Sequence, residues 1–118
     1  MLLRFAFVGV VLTLCGGSSL AFIPPFDELL RGDASNDSVV DIVDPIYIQN
    51  YLFHGGDTPA CLDAADANDD GQVDNSDATY LYQFLYLGGS PPPAPYPYCG
   101  LDQTDNTENL TCDDSACS

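Results

Sequence analysis

Oxygen-bearing side chains recur at fixed steps in the stretch Asp66–Asp77, which reads Asp-Ala-Asn-Asp-Asp-Gly-Gln-Val-Asp-Asn-Ser-Asp. Counted from Asp66 as position one, they stand at one (Asp66), three (Asn68), five (Asp70), nine (Asp74) and twelve (Asp77). Gln72 at seven can add its backbone carbonyl. Alternate residues of a tightly wound loop can point inward together, and that many oxygens in a small volume suit a hard cation. Calcium takes six to eight oxygens at roughly 2.3–2.6 Å. Gly71 at position six allows a sharp turn, where a residue with a Cβ is costly. A solvated acidic turn could reach such a composition once by chance. Here the pattern occurs twice.

The second copy, Asp33–Asp44, offers Asp33, Ser35, Asp37, Val39 through its carbonyl, Asp41 and Asp44 at the same positions. Both copies follow the ligand order of an EF-hand loop. The offset of 33 residues persists beyond the loops: Tyr47 matches Tyr80, Ile48 matches Leu81, Tyr51 matches Phe84, and Gly55-Gly56 matches Gly88-Gly89. Ankyrin and tetratricopeptide repeats have similar periods, but their signatures are absent and two copies are too few for a solenoid.

A helix should follow each loop and hold its last ligand. The spacing predicts one helix over Ile42–His54, with Pro45 in its first turn, where the missing N–H costs nothing. Ile48, Tyr51 and Leu52 give it an apolar stripe. A second helix is predicted over Asn75–Leu87, with Ser76 or Asp77 as cap and Leu81, Phe84 and Leu85 as its stripe. Gly55 and Gly88 should end them in the left-handed conformation. The aromatics of both helices are read as core residues. The expected fold is a small all-α one: two calcium loop-plus-helix repeats packed as an antiparallel helix pair, with an irregular, disulfide-bearing C-terminal tail. Val73, at position eight, should face away from the metal and meet its counterpart.

The 118 residues allow one small domain, with 18 acidic residues against 2 basic ones and a net charge of −16. That balance excludes a nucleic-acid partner, which needs a basic footprint. The carboxylates fall on the ligand grid, so they read as cation ligands rather than as a disordered acidic chain. Without a cation, those of one loop repel each other. Paired carboxylates can also serve a glycosidase, but here they are committed to metal and the chain is too small for a sugar cleft. A sensor that opens on calcium lacks the entering helices that would swing.

Met1–Ala21 reads as a signal peptide, with Arg4, the apolar run Phe5–Cys15 and Ser19-Leu20-Ala21 before the cut. The run is short for a bilayer span, so no transmembrane helix is expected in the mature chain. The protein should be secreted or held at the cell surface. Leu12-Thr13-Leu14-Cys15 resembles a lipobox, with bulky Leu14 where a small residue is expected, so a lipid on Cys15 is the alternative. Residues 22–31 form an irregular lead-in. Arg31-Gly32-Asp33 spells an integrin-binding tripeptide, but Asp33 is better explained as a first ligand. His54 is assigned no role.

Ser90–Tyr98 is Pro-rich and is read as a polyproline II spacer. Asp102–Glu108 echoes a third loop, but its ligand spacing fails. Cys61, Cys99, Cys112 and Cys117 remain after the signal, an even set that implies disulfides with three possible connectivities. The local closure Cys99 with Cys112 is preferred, leaving Cys61 for Cys117. Zinc is disfavoured because no CxxC knuckle occurs.

Two loop-plus-helix units, with Asp rather than Glu at position twelve, resemble the dockerin type I module over roughly Gly32–Gly89. The resemblance implies two calcium ions. Their ligands would be Asp33, Ser35, Asp37, Val39, Asp41 and Asp44, then Asp66, Asn68, Asp70, Gln72, Asp74 and Asp77. It also implies docking onto a cohesin module, as in assemblies of polysaccharide-degrading enzymes. Family contacts centre on positions ten and eleven and on basic residues at seventeen and eighteen. The corresponding residues here are Ile42-Val43 and Gln49-Asn50 in repeat one, and Asn75-Ser76 and Tyr82-Gln83 in repeat two. Neither repeat has Lys or Arg there, and Asn75, Ser76, Tyr82 and Gln83 are the expected partner-binding residues. Site one departs from the family in having Ser35 where Asn is usual and Ser38 where Gly is usual. The expected layout is a signal peptide (1–21), a lead-in (22–31), the module (32–90) and a Pro-rich, Cys-containing tail (91–118). The expected function is non-catalytic docking to a cohesin-like partner. The alternative is a stand-alone, calcium-stabilised structural protein.

Overall fold

The computed structural model describes residues 28–103 and 110–117. The signal peptide and Cys15 lie outside them. The elements in chain order are β1 (Glu28–Leu29), α1 (Val43–Phe53), α2 (Leu62–Ala65), α3 (Asn75–Tyr86) and β2 (Gly100–Leu101). Among the described residues no helix is long and apolar enough to cross a membrane.

Each acidic loop leads into a long helix, and α1 and α3 pack against each other. Both helices start and stop within a residue or so of the sequence expectation. Their ends repeat the same physics. Gly55 and Gly88 take φ of 69° and 71°. The N–H groups of Gly56 and Gly89 then return to the carbonyls of Asn50 and Gln83 at 2.9 and 2.8 Å, satisfying groups that a helix end leaves orphaned. A Cβ on Gly56 would sit 3.0 Å from the Asn50 carbonyl carbon.

The core is built from residues that share the 33-residue offset. Ala34 and Ala67, at position two of the loops, are buried together with Ile48 and Leu81 from the helices. Val40 and Val73, both at position eight, pack against this cluster, as do Tyr47 and Tyr80. The small alanines let the loops approach the helices closely, so core and ligand grid share one set of backbone positions.

Several features depart from the sequence expectation. The lead-in is not wholly irregular: Glu28 and Leu29 pair antiparallel with Leu101 and Gly100. One helical turn, α2, forms where only a link was expected. The Pro-rich stretch is not a spacer. It lies against α3, where Tyr80 Oη donates to the Pro91 carbonyl at 2.7 Å and the Phe84 and Tyr96 rings meet edge to face. Its peptides before Pro95 and Pro97 are cis. The disulfides join Cys61 to Cys112 and Cys99 to Cys117, not the preferred short closure. The reason is backbone pairing: Leu62 N–H donates to Thr111 and Asp113 N–H to Ala60, at 2.8 and 2.9 Å, which lays Cys112 beside Cys61.

Candidate metal centres

Positions one, five and twelve of each loop converge. Asp33, Asp37 and Asp44 each bring a carboxylate oxygen within 4.8 Å of the others, and Asp66, Asp70 and Asp77 do the same. The loop backbone fixes two carboxylates of each triad. Asp33 accepts from the N–H groups of Asp37 and Ser38 at 3.0 and 2.8 Å. Asp66 accepts from those of Asp70 and Gly71 at 3.1 and 2.9 Å. Asp44 accepts from Ser35 and Asp41, and Asp77 from Asn68 and Asp74, again through backbone N–H. Each carboxylate oxygen has two lone-pair directions. One such bond therefore aims an oxygen and leaves it able to meet a cation; on Asp44 that oxygen is Oδ2, since Oδ1 accepts from both the N–H and the hydroxyl of Ser35.

The electrostatics ask for that cation. Asp44 and Asp77 are completely buried. Burial pushes the Asp44 carboxyl up to about 6 and the Asp77 carboxyl up to about 7, against the backbone hydrogen bonds that favour the charged form. Asp33 and Asp66 are raised for the same first reason, with the like charge of Asp37 or Asp70 adding to it. A bound dication reverses this by stabilising the ionised forms. All-oxygen donors, several of them carboxylates, fit a hard ion such as calcium.

The other expected ligands line the same turns without joining the triads. At position three, Ser35 Oγ donates to Asp44 at 2.9 Å, and Asn68 Oδ1 accepts from Asp70 N–H at 3.2 Å. At position seven, Val39 and Gln72 donate their N–H groups to Asp37 and Asp70, both at 3.0 Å. At position nine, Asp41 and Asp74 serve the helix N-termini. Asp41 accepts from Val43 N–H at 2.9 Å and Asp74 from Ser76 N–H at 2.8 Å. Ser76 Oγ also donates to Asp74.

Loop one contains a backbone conformation that loop two leaves to glycine. Ser38 has φ of 71°, at the position where Gly71 has φ of 86°. Position four is left-handed in both, with Asn36 at 63° and Asp69 at 58°.

One functional group was missed by reading the sequence. Arg31 is fully buried beside the entry to loop two. Its Nη1 donates to the carbonyls of Asp63 and Asp66 at 3.0 and 3.1 Å, and its Nη2 lies 2.9 Å from Asp102. Asp63 and Asp69 face Nη1 at 3.4 and 3.5 Å. Asp63, Asp69 and Asp102 thus form a third acidic group, whose cation is the guanidinium itself. Burial, then the Asp102 hydrogen bond, pushes the Asp63 carboxyl up to about 7 despite Arg31. The available signal was arithmetic: one of only two basic residues among 18 acidic ones is a candidate for interior pairing. Burial also withdraws the Arg31-Gly32-Asp33 tripeptide from any receptor.

Among the expected partner-binding residues, Asn75, Ser76 and Gln83 are exposed. Tyr82 is half-buried, and its hydroxyl donates to Gln49 Oε1 at 3.1 Å.

Two acidic loops, each feeding a helix, define a calcium-loop helical module. The family model for the dockerin type I domain matches residues 31–86. Those residues are a dockerin type I module, a kind of domain that binds calcium and cohesins and is not itself catalytic. No curated protein and no solved structure matches the chain.

Proposed function

We propose that this is an exported, non-catalytic module that binds two calcium ions and docks onto a cohesin-like protein. The observation that carries the reading is the pair of aspartate triads, 33 residues apart and held by the same backbone bonds. In each loop the triad would be joined by the residues at three and seven: Ser35 and Val39 in the first, Asn68 and Gln72 in the second. Asp41 and Asp74 complete the charge from position nine. Calcium, when bound, supplies the positive charge that lets the buried carboxyls ionise.

An antiparallel arrangement of α1 and α3 is part of the proposal. It is supported by Tyr82 and Gln49, 33-related positions that bond to each other across the helix pair. Docking would use the exposed helix faces. Around Asn75, Ser76 and Gln83 the face is polar, while at the start of α1 Val43 and Ile46, with Ile42 just before them, stand 36–45% exposed. Arg31 is the only Lys or Arg among the described residues, and it is buried, so a partner with a basic rim suits this surface. Export is supported by the two disulfides. A link to polysaccharide-degrading assemblies rests on the family alone. The module would span residues 32–90. The tail's packing against α3 favours a second reading, a stand-alone calcium-stabilised protein.

Two measurements test this. Circular dichroism of the full mature chain should show helix content falling by more than half with chelator and returning with calcium, because binding to the folded state alone stabilises it by mass action. A pull-down from exported proteins should retain a partner with calcium and lose it with chelator. A calcium-indifferent spectrum defeats the metal reading. Reversible folding without any partner establishes the stand-alone one.

A further inference from the structure

The C-terminal tail reaches back to the first loop at two points. Ala116 N–H donates to Asn36 Oδ1 at 2.6 Å, and Ser38 Oγ donates to the Ala116 carbonyl at 3.4 Å. Asn36 and Ser38 are the two residues of this loop with left-handed backbones, and they flank Asp37, one of the triad. Ser38 N–H also holds Asp33. The tail therefore grips the turn that places two of the three carboxylates. Cys117, next to Ala116, is tied to Cys99, and its N–H donates to Ser115 Oγ at 3.1 Å. Loop two is braced differently. Its position-four residue, Asp69, faces Arg31, the Asp66 carbonyl accepts from the same guanidinium, and Gly71 takes its conformation freely.

We propose that the disulfide-closed C-terminus is a positioning element for the first calcium loop: Cys99–Cys117 holds Ala116 where it bridges Asn36 and Ser38, so full calcium affinity at site one, but not at site two, requires the closed tail. This rests on the reading that both loops bind calcium. The tail offsets what Ser38 lacks relative to a glycine, by holding in place a turn that the residue would otherwise leave.

The test is a calcium titration of the full mature chain, followed residue by residue by NMR. The Ser38 amide reports loop one and the Gly71 amide reports loop two. The comparison is with the double variant Cys99→Ser, Cys117→Ser, which keeps Cys61–Cys112. Affinity at loop one should fall on the order of tenfold, the size expected for two lost hydrogen bonds, while loop two stays unchanged. Hydrogen-exchange protection of the Ala116 amide should be lost as well. A second variant, Asn36→Gly, keeps both disulfides and the left-handed backbone and deletes only the acceptor. It should weaken loop one alone, by several-fold. Equal losses at both loops would reduce the tail to a general stabiliser and overturn the proposal, as would unchanged affinities. An intact protein whose amides ignore calcium would instead bring down the calcium reading, and this inference with it.

Discussion

Asp69, fourth in the second loop, lies 3.5 Å from the guanidinium of Arg31, whereas its counterpart Asn36 accepts a hydrogen bond from Ala116. The two loops share a ligand grid but not their surroundings. Loop two is backed by a buried cation and a glycine. Loop one has a serine in the glycine's place and is backed by a distant part of the chain. A duplicated sequence pattern thus fixes which carboxylates converge. It does not fix what holds those groups still.

The largest test of this contrast is removal of the cation. Arg31→Met should cost about 3–5 kcal/mol, the usual penalty for leaving buried carboxylates without their partner. Urea unfolding of the calcium-loaded protein measures it. The loss should shrink at low pH, where Asp63, already raised to about 7, takes up a proton instead. Loop two should loosen before loop one, and equal loosening would break the contrast.

The pH dependence should change sign with calcium. Without the ion, burial raises the folded-state pKa of Asp44 to about 6 and of Asp77 to about 7, above the ordinary 3.8. A raised pKa means the folded state binds the proton more tightly than the unfolded chain does. That stabilisation is fully present below the ordinary value and is lost as pH rises through the raised ones. Chelated protein should therefore melt higher near pH 4 than at about pH 7.5. Bound calcium depresses the same groups. Its stabilisation is present above the ordinary value and lost as pH falls, so loaded protein should melt higher at about pH 7.5 than near pH 4. Asp63 acts alike in both states and leaves the contrast intact. Thermal melts in the two conditions check it, and parallel pH slopes would count against metal at these carboxyls.

The smallest effect lies at position six. Ser38→Gly should relieve a left-handed conformation and raise calcium affinity at site one by several-fold, roughly 1 kcal/mol, even with the long Ser38–Ala116 bond removed. Gly71→Ser should lower affinity at site two by a similar factor. Calorimetry on both reads the exchange directly. No difference between them would show that position six does not set the relative affinities of the two sites.

The loops and long helices were legible because metal ligation dictates a residue type at each position and a helix end asks for glycine. The triads at one, five and twelve and the Gly55 and Gly88 stops carry side-chain signatures, whereas the cap of α3 is Asp74 at position nine and not the expected Ser76 or Asp77, because the helix begins one residue before Ser76. The tail does not. Many of its contacts run through carbonyls, those of Pro91, Ala94, Pro95, Thr111 and Ala116, and a carbonyl looks alike in every residue. The disulfide pairing failed for the same reason. It follows a backbone ladder between residues some fifty apart, which local closure distance does not reveal. Arg31 was visible, but its role depended on where Asp63 and Asp102 would meet in space.

The Cys61–Cys112 bond has a mechanical consequence. Tension applied between residue 28 and residue 117 would pass from one cysteine to the other through the sulfurs. The segment between them, with the second loop and α3, would sit in a covalently closed ring and carry no load. The first loop and α1 lie outside that ring, in the line of pull. Under force, the half of the module held by the buried guanidinium would be shielded, and the half held by two hydrogen bonds to Ala116 would be the first to yield.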